Sequence, residues 1–552
     1  MPNLDVSELN IIAAVLGAFT MIFGLIAVNI KSRWYLVKPV IPAVIMGIIL
    51  GPIAAKVLES QQWVITTIIR QDDITLGIMR VMIGIQLVIA GYQLPARYLQ
   101  FRYREMLVCL LPVMTLMWLA TSVCVLATIP HLSLYSTLII GACATSTDPI
   151  LSQAIAKGPF ADQFVVRPLR EIISAEAGAN DGFASPFLGL AINLLLQSQS
   201  PTTALSQEGS ITRALGDWVV ETLLYTVLLA IVYGAVAGFC ARKAVELSLS
   251  RKWIDTESYL LFPCALGLFV LGTCGALGTS DLLACFVAGC ALNWDGRFLA
   301  ETKRRHDEVN SCIDVLLNFA GFMYIGVTVP WQSFDAATTS GITWPRLLAL
   351  GLLVLVFRRI PALLLCYRMM PNVVRGWREA VFMGYFGPIG VGAIYYLEHT
   401  TILLLGVANP SGSEQALLNA IGPVVYFLAL FSIVVHGLSI PILNCIYAFS
   451  GVRPITDDAE PLRRRSVHVA TPNNAVPGDG ETFIAFNRFT RPSYPSETLP
   501  TTTVEPRPEA AAQTHHNNRP RFSSVVFAVP EWKAERSIPE DPKTCIVTCN
   551  EV

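Results

Sequence analysis

Long apolar segments recur from the start of the chain to about residue 447, and they constrain its fold more than any other feature. A transmembrane helix needs about 20 mainly apolar residues. Charged residues make up 14% of the 552 residues, whereas soluble domains carry about 25%. We therefore predict an all-α multi-pass membrane protein with about 13 transmembrane helices, at residues 9–30, 37–57, 74–94, 106–129, 135–156, 170–196, 218–240, 258–278, 280–294, 313–331, 343–366, 380–405 and 418–447.

The loops between these segments carry unequal numbers of basic residues. Alternate loops on one side hold 20 lysines and arginines, whereas the loops on the other side hold only Lys56, Arg70, Arg213 and Arg346. Cytosolic loops of membrane proteins are enriched in these residues. The asymmetry therefore predicts an extracellular N-terminus and a cytosolic C-terminus.

The composition changes at about residue 451. Residues 451–552 are rich in Pro, Thr and Asn and contain few apolar clusters, so we predict a disordered cytosolic tail. Its PLRRRS segment (461–466) either contacts anionic lipid or simply marks the cytosolic face. The 13 cysteines lie mostly in apolar segments, which is typical of small buried side chains rather than of disulfides or a zinc site.

Several charged residues fall inside the predicted spans. An ionisable side chain at the bilayer centre costs several kcal/mol unless it is paired or hydrated, so each one is a candidate functional residue. Asp281 and Asp314 lie near span ends, where we expect hydrated interfacial groups. For Arg80 a structural pairing is as plausible as a role in transport. The remaining charged candidates are Asp148, Glu176, Asp181, Arg358 and Arg359.

Two spans contain helix-breaking residues near their centres. In the fifth span Pro149 follows Asp148, which is either a simple kink or a broken helix. The twelfth span reads GYFGPIGVGAIYY, with breakers at Gly384, Gly387, Pro388, Gly390 and Gly392. The two spans are seven apart and so run in opposite directions, as in an inverted repeat. This pattern is typical of secondary transporters whose site lies at the bilayer midplane.

The sixth span holds two acidic residues that we expect to do different work. Glu176 and Asp181 are five residues apart, so they diverge by roughly 140° around a helix. We expect Glu176 to pair with Arg359, and Asp181 to face a cavity and bind a hard monovalent cation or a proton. Asn180 can hydrogen-bond the broken fifth span. The alternative is a polar cluster that only holds helices together.

The motifs TSTDP, ExxxND (Glu176, Asn180, Asp181), FRRIP, GPIGVGA and SIVVHGLSIP occur in that order along the chain. Together they resemble the fungal plasma-membrane sodium/proton antiporters of the cation/proton antiporter superfamily (monovalent cation:proton antiporter type 1). The resemblance extends from about residue 8 to residue 450, which is the whole predicted membrane part.

The resemblance implies a homodimeric thirteen-span antiporter fold within residues 1–450. A core domain (about 106–196 and 343–447) would move against a dimerisation domain (about 9–94 and 218–331). It implies that Asp181 carries the cation (Na⁺) and the proton. It also implies roles for further residues: Thr147 and Asp148 at a crossing of two broken helices, Asn180 steadying that crossing, a structural ion pair of Glu176 with Arg359, and helix breaks at Pro149, Gly387, Pro388 and Gly390.

Four positions depart from the family pattern. Ala177 stands where a serine is common, and Ser280 replaces the first residue of an Asp-Asp pair whose second member is Asp281. Tyr385 stands where histidine is frequent, and Gln93 where glutamate is frequent. We treat Ala177, Asp281 and Tyr385 as candidate modulators of cation selectivity, turnover and pH response.

These observations predict an antiporter, not an enzyme, that exchanges Na⁺, K⁺ or Li⁺ for H⁺ across the plasma membrane. Its role would be alkali-cation export, salt tolerance and pH homeostasis. Cation and proton compete for one carboxylate, so coupling needs no cofactor, and no Walker-type nucleotide loop occurs. The balance of charge gives no reason to expect nucleic-acid binding. The alternatives are a K⁺-preferring or endosomal exchanger and, from another class, a membrane enzyme or receptor with buried carboxylates.

Overall fold

A computed structural model of the chain describes most of the predicted membrane part and three short pieces of the tail. The described residues are 14–25, 40–56, 71–156, 159–198, 207–305, 309–338, 340–406, 412–452, 460–463, 475–477 and 482–485.

The first half of the described membrane part is helical throughout. Its helices are α1 (Ala14–Leu25), α2 (Val40–Leu50), α3 (Gln71–Tyr92), α4 (Tyr98–Phe101), α5 (Tyr103–Val108), α6 (Met114–Thr128), α7 (Leu134–Cys143), α8 (Pro149–Ala156), α9 (Pro159–Phe164), α10 (Arg167–Phe183) and α11 (Ser185–Ser198).

The second half is also helical. Its helices are α12 (Gln207–Asp217), α13 (Leu229–Ser250), α14 (Thr256–Leu277), α15 (Asp281–Leu292), α16 (Arg297–Arg304), α17 (Val309–Thr328), α18 (Trp344–Phe357), α19 (Ile360–Cys366), α20 (Trp377–Tyr385), α21 (Val391–Leu405) and α22 (Gly412–Ser450).

Each of the 13 predicted spans contains one of these helices or an interrupted pair of them, and the predicted fold class is confirmed. By length and apolar composition alone, six described helices can cross a membrane, or seven if the pair α15 and α16, bent by 78°, counts as one span. The other predicted spans contain shorter helices, in two cases because central breakers interrupt them.

Two π-helical segments adjust the geometry of long spans. Residues Cys109–Val113 join α5 to α6 and contain Pro112, which cannot donate a backbone hydrogen bond. A π-helical turn is a known way to absorb such a defect within a continuous helix. Residues Trp218–Leu228 join α12 to α13.

In the predicted tail, the strands β1 (Glu460–Arg463), β2 (Ala475–Pro477) and β3 (Thr482–Ala485) form an antiparallel sheet in the order β1-β3-β2. The predicted disorder of residues 451–552 stays a prediction. The rest of the predicted tail lies outside the described residues.

Helix α10 carries the acidic motif (Glu176, Asn180 and Asp181) in a buried position. It packs against α8, α15 and α3, and residues 175–182 on it are all buried. Helix α21 packs against α3, α7 and α22. The acidic motif on α10 thus lies close to the starts of α8 and α21, where the two predicted breaks occur.

Candidate ion-binding site

The two predicted broken spans are interrupted in the structure and touch each other. The fifth span is not helical between the end of α7 at Cys143 and Pro149, and the twelfth is not helical over residues 386–390. The backbone N–H of Asp148 donates to the carbonyl of Pro388 at 2.8 Å. The breaks therefore form a crossing, which we define as residues 144–148 and 386–390.

Asp148 holds the starts of both half-helices that leave this crossing. Its Oδ1 accepts the N–H groups of Ile150 (2.7 Å) and Leu151 (3.0 Å), at the start of α8. Its Oδ2 accepts the N–H of Val391 at 2.9 Å, at the start of α21. The first amides of a helix lack intrahelical partners and carry partial positive charge, so a carboxylate there is favourable. Pro149 needs no such partner, because it has no N–H.

Arg358 makes the opposite contacts at the crossing. Its Nη1 donates to the carbonyl of Gly387 at 2.6 Å, and its Nη2 donates to the carbonyls of Thr145 (3.0 Å) and Ser146 (2.7 Å). These carbonyls follow the ends of α20 and α7 and would otherwise be buried without donors. We assigned no role to Arg358 from the sequence, although its place beside Arg359 in an apolar span was a usable signal.

Glu176 and Arg359 form a buried ion pair, as the predicted arrangement requires. Nη1 and Nη2 of the arginine each donate to one carboxylate oxygen at 2.7 Å, and its Nε donates to the carbonyl of Met383 at 3.1 Å. The exposed fractions of the two residues are 0% and 3%. A two-pronged contact of this kind fixes the relative position of the segments that carry it.

Asn180 joins the acidic motif to the first break. Its Oδ1 accepts the backbone N–H of Thr147 at 3.1 Å, and its Nδ2 donates to the hydroxyl oxygen of Thr147 at 2.7 Å. Two bonds to a single residue set the distance between α10 and the crossing. The Thr147 hydroxyl keeps its own hydrogen and a further lone pair for another partner.

Asp181 is the exception in this otherwise well-paired region. Its exposed fraction is 1%, and among the described residues its carboxylate has no charged partner, with the Ser146 hydroxyl as a neighbouring polar group. Its backbone carbonyl, by contrast, accepts the Tyr396 hydroxyl at 2.5 Å. A buried carboxylate without a charged partner is costly unless it takes up a proton or a cation.

Two glycines of the second break, and Gly392 in the first turn of α21, make room for charged side chains. A Cβ at Gly387 would overlap the side chain of Arg359, one at Gly390 the carboxylate of Asp148, and one at Gly392 the carboxylate of Asp181. These glycines therefore allow charged side chains to approach the backbone closely, in addition to interrupting the helix.

We expect Gly390→Ala to lower thermal stability, because the added methyl group must displace the Asp148 carboxylate. Overpacking of this kind typically costs about 1–3 kcal/mol. The matched control is Gly422→Ala in α22, where an added Cβ meets nothing within 4 Å. Thermal unfolding of the purified variants in detergent measures the difference in stability. Equal unfolding midpoints for Gly390→Ala and Gly422→Ala would contradict the predicted overlap with the Asp148 carboxylate.

Two candidate modulators, Ala177 and Tyr385, and the departing residue Ser280 have defined neighbours. Ala177 is buried on α10 between Glu176 and Asp181. The Tyr385 hydroxyl shares a hydrogen bond with Ser439 at 2.6 Å. Ser280 donates its hydroxyl to the carbonyl of Gly182 at 3.2 Å. Substitutions at these sites thus lie near the acidic motif or the second break.

The expectation that Asp281 and Asp314 are hydrated interfacial groups is wrong. Asp281 is buried and forms an ion pair with Arg80, whose Nη2 also donates to the carbonyl of Leu271 at 2.9 Å. Asp314 is also buried and accepts from the side-chain amide of Gln86 at 3.0 Å. Both residues lie near the ends of their spans, but neighbouring helices cover them.

The described residues contain no group of three or more His, Cys, Asp or Glu side chains that could hold a metal ion. The crossing instead offers the carboxylate of Asp181 with neutral oxygens nearby, including the hydroxyl of Ser146 beside Gly392. Oxygen ligands of this kind suit a hard cation.

The family described as sodium/hydrogen exchanger, transmembrane, matches residues 17–444, which is most of the chain. The chain belongs to the sodium/hydrogen exchanger family. This family consists of transporters, so the alternative of a membrane enzyme or receptor is wrong.

Curated fungal proteins resemble this exchanger over most of its length. It is 38% identical over 449 residues to a probable Na⁺/H⁺ antiporter of Schizosaccharomyces pombe, with 79% of this chain and 56% of that protein covered. It is 34% identical to Na⁺/H⁺ antiporter 2 of Zygosaccharomyces rouxii (80% and 53% covered) and to a Na⁺/H⁺ antiporter of Saccharomyces cerevisiae (80% and 44% covered). The exchanger thus spans about half the length of these relatives.

A solved structure has the same fold. The sodium/proton antiporter MjNhaP1 of Methanocaldococcus jannaschii matches with a TM-score of 0.57 at 14% identity, covering 80% of this exchanger and 98% of that chain.

Proposed function

We propose that this exchanger is a secondary antiporter that moves Na⁺ against H⁺, with Asp181 as the group that binds either ion. The observation that carries the proposal is the buried Asp181 carboxylate, which has no charged partner among the described residues and lies beside the crossing of two broken helices. The three fungal relatives, which are named as Na⁺/H⁺ antiporters, support the same activity.

The proposed coupling follows from competition at one carboxylate. A bound proton and a bound monovalent cation each neutralise Asp181, whereas the bare carboxylate keeps a charge that is costly to move through an apolar barrier. Either loaded form can therefore cross while the empty form cannot. Thr147 and Asn180 would place α10 against the crossing, and Thr147 would contribute an oxygen to the cation.

The test is pH change inside proteoliposomes driven by an imposed Na⁺, K⁺ or Li⁺ gradient. We expect exchange with Na⁺ and none in empty liposomes. A response to K⁺ that exceeds the response to Na⁺ would favour the K⁺-preferring exchanger. No cation-driven pH change with any of the three ions would overturn the proposal.

We further propose a plasma-membrane protein with a cytosolic C-terminus, supported by the unequal distribution of basic loop residues. A tag at each end, tested for access in intact cells, checks this orientation. A tag at the C-terminus that is accessible from outside would overturn it.

We also propose that residues 106–196 and 343–447 form a moving core and that the protein is a homodimer. The crossing and the Glu176–Arg359 pair lie wholly within the core ranges. In the long span Thr212–Ser250, 22% of the most apolar stretch is buried, against 44–67% in the other five long spans, which leaves an apolar face for lipid or a second copy. A monomeric mass in detergent and in lipid would contradict the dimer.

A further inference from the structure

The second break (residues 386–390) is hydrogen-bonded to α22 as well as to the first break (residues 144–148). Ser432 and His436 lie one turn apart on α22 and face the two ends of residues 386–390. The N–H of Ile389 donates to the Ser432 hydroxyl oxygen at 2.7 Å. Nε2 of His436 lies 2.9 Å from the carbonyl oxygen of Tyr385, the last residue of α20.

The imidazole ring of His436 joins Ser432 to Tyr385. The carbonyl of Tyr385 can only accept, so Nε2 donates to it. Nδ1 lies 3.1 Å from the Ser432 hydroxyl and 2.9 Å from the Ser432 carbonyl, so it has a partner whether or not it carries a hydrogen. Ile389, Ser432, His436 and Tyr385 therefore form one chain of polar contacts.

The polar backbone groups in the middle of the second break have other partners. The carbonyl of Gly387 accepts from Arg358, and that of Pro388 accepts from the backbone of Asp148. Arg358 and the backbone of Asp148 thus hold the middle of the second break, and α22 holds its two ends. Without the α22 contacts, the buried amide of Ile389 would lose its partner, and the carbonyl of Tyr385 would keep only the backbone N–H of Gly387, at 3.0 Å.

We infer that His436, with Ser432, is a positioning residue for ion exchange, which sets the place of Gly390 and Gly392 relative to the carboxylates of Asp148 and Asp181. The inference rests on the proposed exchange function. Both glycines approach those carboxylates so closely that a Cβ would overlap them. A small displacement of Ile389 therefore changes the space around Asp181, where the ion binds.

A small cavity beside the ring leaves room for side chains of other shapes. Its volume is about 20 Å³, and its lining includes Arg358, Tyr385, Gly387, Ser432 and His436. This space is sufficient for about one water molecule. A glutamine at position 436 therefore fits without overpacking.

The experiment compares His436→Leu, His436→Gln and Ser432→Ala in Na⁺-driven exchange. Leucine fills the site but donates nothing to Tyr385, whereas the glutamine amide can restore that donor. We expect His436→Leu to raise the KM for Na⁺ and lower turnover, together about tenfold in kcat/KM, which is the effect of losing about one buried hydrogen bond. We expect His436→Gln to recover most of the loss, and Ser432→Ala to resemble His436→Leu.

The matched control is Thr401→Ala on α21, which removes a hydroxyl that bonds only its own helix at Leu397 among the described residues. We expect unchanged exchange for this variant. Equal exchange in wild type and His436→Leu would overturn the inference. Equal loss in His436→Leu and His436→Gln would also overturn it, because it would show a packing role only. An inactive wild-type protein would instead overturn the exchange function itself.

Discussion

Replacing Asp181 with asparagine should reduce cation-driven proton movement to the level of empty liposomes while the protein still folds. The amide has nearly the same shape as the carboxylate, but it neither takes up a proton nor carries the negative charge that attracts a cation. Because no charged group pairs with Asp181 among the described residues, the change also removes a buried charge without breaking an ion pair. Thermal stability should therefore stay equal or rise.

Exchange and thermal unfolding of the same purified samples measure both halves of this result. Asp335→Asn is the matched control, because Asp335 is an exposed acid in the short 3₁₀ turn Trp331–Asp335. We expect that control to exchange like the wild type. Retained Na⁺/H⁺ exchange in Asp181→Asn would rule out Asp181 as the carrier of both ions.

Breaking the Glu176–Arg359 pair should have the largest effect on folding. Removal of one partner of a buried ion pair leaves the other charge without compensation, which typically costs about 3–5 kcal/mol. We therefore expect Glu176→Gln and Arg359→Gln each to lower expression and the midpoint of thermal unfolding sharply. Arg359→Gln should be the worse of the two, because it also removes the donor to the Met383 carbonyl.

The double variant measures the interaction between Glu176 and Arg359 separately from the loss of either side chain alone. With both charges removed, no uncompensated charge remains, so Glu176→Gln/Arg359→Gln should unfold at a higher temperature than Glu176→Gln alone or Arg359→Gln alone. Arg167→Gln is a matched control for the loss of an arginine, since Arg167 pairs with Glu171 in an exposed i,i+4 contact, where such pairs contribute little. Strictly additive losses in the double variant would contradict a direct pair.

The spans and the breaks were predictable because their signals are local. Apolar runs of span length are visible one segment at a time, and a proline or several glycines near the centre of such a run identify an interruption. The Glu176–Arg359 pair was predicted as opposite charges in two apolar spans, and Asn180 was predicted to hydrogen-bond the broken fifth span, where Thr147 lies.

What the sequence did not show is which helices lie side by side. Hydropathy gives a residue its depth in the membrane, but not its lateral neighbours. Asp281 and Asp314 therefore looked hydrated, although α3 supplies a partner to each of them. The capping roles of Arg358 and Asp148 were hidden for the same reason, because each also bonds backbone groups of a segment more than 200 positions away.

The two charged side chains at the crossing also have a mechanical consequence. One carboxylate anchors the beginnings of α8 and α21, and one guanidinium anchors the carbonyls that follow α7 and α20. A tilt or slide of one half-helix therefore pulls on the other through a single shared side chain. The two side chains therefore link the four half-helices rigidly. A displacement that starts in either broken span is transmitted to both spans.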